Sequence, residues 1–354
     1  MIVTIIVFLL VFSVVVISHE FGHYIVAKLN GIKVLEFGIG MGPIIAKYTK
    51  NDTQYVLRLL PLGGACVFEG MDGIYDSEEN KTNEKREGSF NDANVWARIA
   101  TVFAGPFFNI ILGFLLSLIV VGFSGSVIPT INTLMDGYPA AEAGLEPGDT
   151  ITKINGERVY LQGEVTLISS LNDGEDLTIE FVRDGEKMTT VVTPKYSEED
   201  ERYYIGFTLG QYVDCQGLKL IQYSYYEVRY WLKATVKSIA MLCTGRLSAD
   251  NLSGPVGVAQ MVDETLEETR PYGLPTMVLT MINFAVLLSV NLGVMNLIPI
   301  PALDGGRLLL LIIEVIRGKK LPPEKEGIVT FVGVIFLMGL MVFALYNDIS
   351  RLFR

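Results

Sequence analysis

Four stretches of this chain carry no charged side chain: Met1–Ser18, Ile99–Phe123, Pro271–Leu303 and Gly327–Asn347. As helices rising about 1.5 Å per residue, each is long enough to cross about 30 Å of hydrocarbon. A backbone in hydrocarbon must satisfy its own hydrogen bonds, so such runs are expected to be spanning helices. The expected fold class is therefore a polytopic α-helical membrane protein with about four transmembrane helices. The first block has no Lys or Arg before it and no small-residue cleavage site after it, so it reads as a retained span and not a signal peptide.

Charge in the connecting segments orients these spans. Residues 28–98 hold nine Lys and Arg and residues 303–327 hold five, whereas residues 124–270 hold 12 against 23 Asp and Glu. By the positive-inside rule the two basic segments face the cytoplasm, and the acidic segment and both termini lie outside. The acidic segment accounts for the whole net charge of −11, and no basic footprint for a nucleic acid remains. The three cysteines, Cys66, Cys215 and Cys243, lack CxxC spacing, and this topology leaves open only a Cys215–Cys243 bridge.

The expected domain order follows. A first span occupies 1–27, and 28–98 is a cytoplasmic, membrane-associated β segment with strand-like runs at Lys33–Gly40, Ile44–Tyr48 and Tyr55–Leu60 and a charged loop at Asp72–Glu87. A second span at 99–123 carries Ala104-Gly105-Pro106 and Asn109, where a kink and a packing role for the asparagine are expected. Residues 124–195 form an extracytoplasmic β-rich module, with turns at Asn155-Gly156 and Asp184-Gly185. Residues 196–270 form an amphipathic helical segment, 271–303 the third span, 304–326 a cytoplasmic loop or helix, 327–347 the fourth span and 348–354 the tail.

Chemistry concentrates in Ile17-Ser18-His19-Glu20-Phe21-Gly22-His23, which holds both histidines of the chain. Positions four apart lie one above the other on a helix, so both imidazoles can reach one ion while Glu20 stands beside its bound water. That is a metallohydrolase arrangement; the rival is a polar turn where an apolar helix meets water. His19 lies about 13 Å along the axis from Lys28, which sets the site inside the membrane near its cytoplasmic face. Ionisable groups at such depth face a protein interior or a water-filled cavity.

Two histidines need a third ligand, because a catalytic zinc takes three protein ligands and leaves one position for water. Asp304, in Asn296-Leu297-Ile298-Pro299-Ile300-Pro301-Ala302-Leu303-Asp304-Gly305-Gly306-Arg307, is expected at the same membrane face as the histidines. An exposed turn aspartate is the alternative reading. Two histidines and a carboxylate also suit iron or cobalt. Asn291 and Asn296 either bind substrate backbone or bridge helices. The glycines of Phe37-Gly38-Ile39-Gly40-Met41-Gly42 and of Pro61-Leu62-Gly63-Gly64 either mark loops or belong to an edge strand that accepts an extended substrate by β-addition.

The stretch Gly137–Ile151 resembles a PDZ domain of the bacterial, circularly permuted kind, and departs from animal PDZ domains, which carry a Gly-Leu-Gly-Phe carboxylate loop. Over nearly its whole length the chain resembles the site-2 protease family of intramembrane zinc metalloproteases, of the bacterial RseP/RasP type. The residues that carry this are HEFGH at 19–23, PLGG at 61–64, AGPFFN at 104–109, the PDZ-like stretch, LSGPVGV at 252–258, NLIPIPALDGGR at 296–307 and ALYNDISRL at 344–352.

The resemblance implies a metalloendopeptidase with Zn2+ held by His19, His23 and Asp304 and with Glu20 as general base. It implies that the β segment, through Gly38, Gly40, Gly63 and Gly64, helps present substrate, and that Asn296, Pro299 and Pro301 shape the substrate side. Expected partners are the lipid bilayer, the membrane-spanning helices of single-pass substrates such as anti-sigma factors and signal-peptide remnants, and a peptide ligand or docking partner at the PDZ-like domain. The expected location is a bacterial cytoplasmic membrane. Two rival classes remain in view. A transporter would distribute polar groups along a pathway, and a silent zinc-stabilised scaffold would have no need of Glu20.

Overall fold

A computed structural model describes residues 2–71, 87–200, 202–245 and 254–352. The expected charged loop at Asp72–Glu87, apart from Glu87, lies outside the described residues, as do Leu252 and Ser253. In chain order the elements are α1 (Ile2–Leu29), β1 (Val34–Lys50), β2 (Thr53–Phe68), α2 (Val95–Ser124), β3 (Ser126–Leu134), α3 (Pro139–Glu142), β4 (Thr150–Ile154), β5 (Glu157–Arg158), α4 (Gln162–Ser170), β6 (Leu177–Arg183), β7 (Glu186–Val192), β8 (Lys195–Ser197), β9 (Arg202–Tyr204), β10 (Phe207–Val213), α5 (Leu218–Cys243), α6 (Pro255–Thr269), α7 (Leu274–Asn296), α8 (Asp304–Arg317) and α9 (Pro323–Leu352). They fall into two compact units, Ser117–Ala234 and the remainder of the chain.

Among the described residues, the helices long and apolar enough to cross a membrane run over Val3–Leu29, Val95–Ser124, Leu274–Asn296 and Lys325–Arg351. α2 carries Pro106 in its interior and continues as one helix. The third apolar block is not one helix to its end. α7 stops at Asn296, because Pro299 and Pro301 have no N–H to donate and Ala302 takes a left-handed φ of 78°. The chain then turns back into α8. Gly305 and Gly306 lie against the carbonyls of Ile298 and Ile300, where a side chain would overlap them, so the Asp-Gly-Gly sequence is what allows this reversal.

The strand-like runs after α1 merge into two long strands joined at Asn51-Asp52, both at positive φ. Each strand bends, so that four segments lie side by side. Ile44–Lys50 pairs with Thr53–Arg58, and Glu36–Ile39 is flanked on one side by Gln54–Leu57 and on the other by Gly64–Val67. The outer segment therefore contains Gly64, whereas Gly38 sits on an inner one. This sheet is anchored where Ala27, Ile32, Val34, Phe68, Phe90, Val102 and Leu311 pack into a buried cluster.

The smaller unit is a β module. Its sheet runs β10-β3-β4-β6-β7 with β5 beside β4, around a core that includes Ile131, Ile151, Ile154, Leu177, Ile179 and Phe181. The sequence expectation closes this module at 195. The sheet instead takes in β10, whose approach, Tyr204-Ile205-Gly206-Phe207, places Gly206 at a φ of 94° against Tyr138. The first part of α5 packs on the module. Tyr226 stacks on Tyr160 with ring centroids 4.0 Å apart, and Arg229 and Lys233 reach the buried carboxylate of Glu164. All three cysteines are free thiols.

Candidate metal centre

The helical pitch of α1 sets His19 and His23 on one face, where both rings are buried. α8 begins at Asp304 and brings its carboxylate to the same point. Asp304 Oδ2 lies 3.1 Å from His19 Nε2 and 3.3 Å from His23 Nε2, and the two Nε2 atoms are 3.2 Å apart. Two histidines four positions apart and an aspartate almost 300 positions further on thus present a near-equilateral triangle of ligand atoms.

The triangle fits a metal ion. Zinc bound tetrahedrally at about 2.0–2.1 Å spaces neighbouring donors about 3.3 Å apart, close to the observed edges. Oδ2 of Asp304 is also buried without a hydrogen-bond partner, a costly state that a cation at the triangle would relieve. Two imidazole nitrogens and a carboxylate oxygen suit zinc, and they leave one tetrahedral position for water.

Helix α2 supports the centre from behind. The carbonyl of Thr101 lies 2.9 Å from His23 Nδ1, so Nδ1 carries the proton and Nε2 keeps its lone pair for a metal. One turn on, Gly105 faces the His23 ring so closely that a Cβ would overlap it. One turn further, the Asn109 amide lies 3.4 Å from His19 Nδ1. Gly22 of α1 meets the Ala104 carbonyl with no room for a side chain, and this lets the two helices approach. Arg98 forms a bidentate pair with Glu314, at 3.1 and 2.5 Å, and so holds α8 and its Asp304 against α2.

Glu20 lies beside both histidines and Asp304, and accepts a hydrogen bond from the Cys66 amide of β2. Gly64, two residues earlier on that outer segment, packs against the Glu20 side chain: a Cβ there would stand 2.6 Å from Glu20 Cγ. Residues two apart on a strand point their amides the same way, so the Gly64 amide lies on the same side of the strand as that of Cys66. Gly63, at a φ of 79°, adjoins it. Gly40, at a φ of 87°, packs against the Leu60 and Arg58 carbonyls, and Gly38 lies between two paired segments next to Arg58 and Glu36. The last two are therefore interior to the sheet and away from its open edge. Asn296 Nδ2 is 3.4 Å from His19 Nε2. Pro299 and Pro301 shape the loop into α8, and Pro301 is packed by Gly333 of α9.

Sequence reasoning did not assign Thr101, Gly105 or Cys66 to the site, and gave Asn109 a packing role only. A signal was present: Thr101, Gly105 and Asn109 repeat every four residues, the spacing of the two histidines, so one stripe of α2 matches one stripe of α1.

A model of peptidase family M50 matches residues 7–340. The zinc metalloprotease RasP of Bacillus licheniformis is 34% identical over 99% of this chain and 99% of its own length. The regulator of sigma-W protease RasP of Bacillus subtilis is 32% identical, again over 99% of both chains. Among solved structures, the PDZ domain of an SdrC-like protein from Listeria monocytogenes is 25% identical over 24% of this chain and 86% of that one, with a TM-score of 0.21.

Proposed function

This chain belongs to peptidase family M50, and from that premise we propose that it is an intramembrane zinc metalloprotease that cleaves the membrane-spanning segments of single-pass proteins. The observation that carries this is the triangle of His19, His23 and Asp304, with edges of 3.1–3.3 Å and Glu20 beside it. In this reading Glu20 is the general base. His19, His23 and Asp304 would hold a zinc ion, which would supply Lewis-acid chemistry for the scissile carbonyl and a water of pKa nearer neutrality. Glu20 takes the proton of the attacking water and returns it to the leaving amine, held in aim by the Cys66 amide. In this reading the Asn296 amide, 3.4 Å from His19 Nε2, donates to a substrate carbonyl.

A helical substrate has its carbonyls hydrogen-bonded, so it must unwind before it is cut. The outer segment of β2 at Gly63 and Gly64 offers backbone groups next to Glu20, and an unwound stretch adds there as a further strand. Helix-weakening residues near the cut would favour this. The substrates in this reading are anti-sigma-factor-like proteins and signal-peptide remnants, cut after another protease has shed their outer domains.

The four spans sit in a bacterial cytoplasmic membrane with both termini and the PDZ-like module outside. The module filters by size or docks a peptide; β10, at one end of its sheet, is the edge that would take one. The test is cleavage of a co-expressed single-pass substrate by the parent and by Glu20→Gln. Cleavage should vanish in the variant while zinc content stays at one per chain. Undiminished cleavage would overturn the mechanism, and loss of zinc together with the fold would favour a scaffold.

A further inference from the structure

We infer that Asn109 is a positioning residue: its side-chain carbonyl accepts the Nδ1 proton of His19 and so fixes the tautomer and ring angle with which that histidine meets the metal. The inference rests on reading His19 as a ligand through Nε2. That atom points into the triangle, 3.1 Å from Asp304 Oδ2 and 3.2 Å from His23 Nε2. If Nε2 binds a metal, Nδ1 of the neutral ring must carry the hydrogen and needs an acceptor.

The group facing Nδ1 is the Asn109 amide. In the structure its Nδ2 is turned toward Nδ1 at 3.4 Å, which sets a donor against a donor, while its Oδ1 is buried without a partner. A half-turn of the amide changes no shape, replaces the donor–donor contact by a hydrogen bond from Nδ1–H to Oδ1, and moves Nδ2 to the place Oδ1 held. Asn109 is fully buried and well anchored for this task. Its backbone carbonyl accepts from Ser289 Oγ at 2.7 Å, and Gly293 of α7 packs on its Cβ. The Thr101 carbonyl serves His23 in the same way two turns earlier.

The experiment measures zinc affinity by chelator competition on purified, detergent-solubilised full chain, for the parent, Asn109→Leu, Asn109→Asp and His19→Ala. Loss of an outer-shell partner weakens metal binding by about 10–100-fold. Asn109→Leu, which keeps the volume but not the acceptor, should show that loss. Asn109→Asp, which keeps an acceptor, should bind at least as tightly as the parent. If the leucine variant does not fold, Asn109→Ala supplies the same contrast by removing atoms only. Parental affinity in the leucine or alanine variant, or equal loss in the aspartate variant, overturns the inference. His19→Ala separates the two levels. If it keeps parental zinc affinity, the reading of the centre itself fails; if it loses zinc while the Asn109 variants do not, only the positioning role fails.

Discussion

Gly105 of α2 faces His23 of α1 across a gap in which a single added methyl would overlap the imidazole. The ring can hold its place, with Nδ1 on the Thr101 carbonyl and Nε2 in the metal triangle, only because position 105 has no side chain. Replacing Gly105 by Ala should therefore displace His23. Helix propensity favours alanine by up to about 1 kcal/mol, so the fold has no reason to weaken on that account. The expected outcome is a folded protein whose zinc affinity falls by about 10-fold or more, read by metal analysis after dialysis.

Gly64 offers the opposite dissociation. Its neighbour is Glu20, whose Cγ would lie 2.6 Å from an added Cβ, and not a ligand atom. Gly64→Ala should push the general base out of line and leave the triangle whole. Zinc content should remain at the parental level while kcat falls by about 100-fold, in keeping with the usual contribution of a positioned proton carrier. Loss of zinc in this variant would show that β2 supports the ligands as well.

Asp348 joins two motifs of the family resemblance that lie almost 100 residues apart. Its fully buried carboxylate accepts from the amides of Gly254, at 3.0 Å, and Gly257, at 2.8 Å, and so caps the first turn of α6 from within α9. Asp348→Ala would strand both amides in an apolar surround, at a cost of about 2–4 kcal/mol. A fall in the melting midpoint of the solubilised protein, with zinc still bound before the transition, is the expected result. An unchanged midpoint would mean that α6 is held by its apolar contacts alone.

Glu227 of α5 makes the stability of the smaller unit depend on pH. Burial, with the nearby Glu164 carboxylate, pushes its pKa up to about 7 from an ordinary 4.5. A carboxyl with a raised folded value binds its proton more tightly when folded. Its contribution is thus fully present below about pH 4.5 and is lost as pH rises through 7. Glu227→Gln should stabilise this unit above pH 7 by up to about 3 kcal/mol, and the gain should shrink to nothing near pH 4. Thermal unfolding or limited proteolysis at pH 4 and pH 8 measures it; an equal gain at both pH values would refute the titration.

The sequence by itself determined the four apolar helices, the helical face shared by His19 and His23, and the β character of the module with its turns at Asn155-Gly156 and Asp184-Gly185, because each of these is written in local periodicity, charge and turn chemistry. It also pointed to Asp304 through ligand arithmetic and the charge map. What it left open was the remainder of the relationships set by packing between distant segments. That α7 ends at Asn296 inside an uncharged block depended on Pro299, Pro301 and a glycine pair folding the chain back, which hydropathy does not register. Which glycines stand at the open edge of the β segment followed from two strands each bending to pair twice, so that Gly64 faces Glu20 while Gly38 lies between neighbours. The stripe of Thr101, Gly105 and Asn109 took on meaning only once α2 lay against α1, since a residue's partner across a helix interface is decided by the three-dimensional approach of the two helices and by nothing local to either.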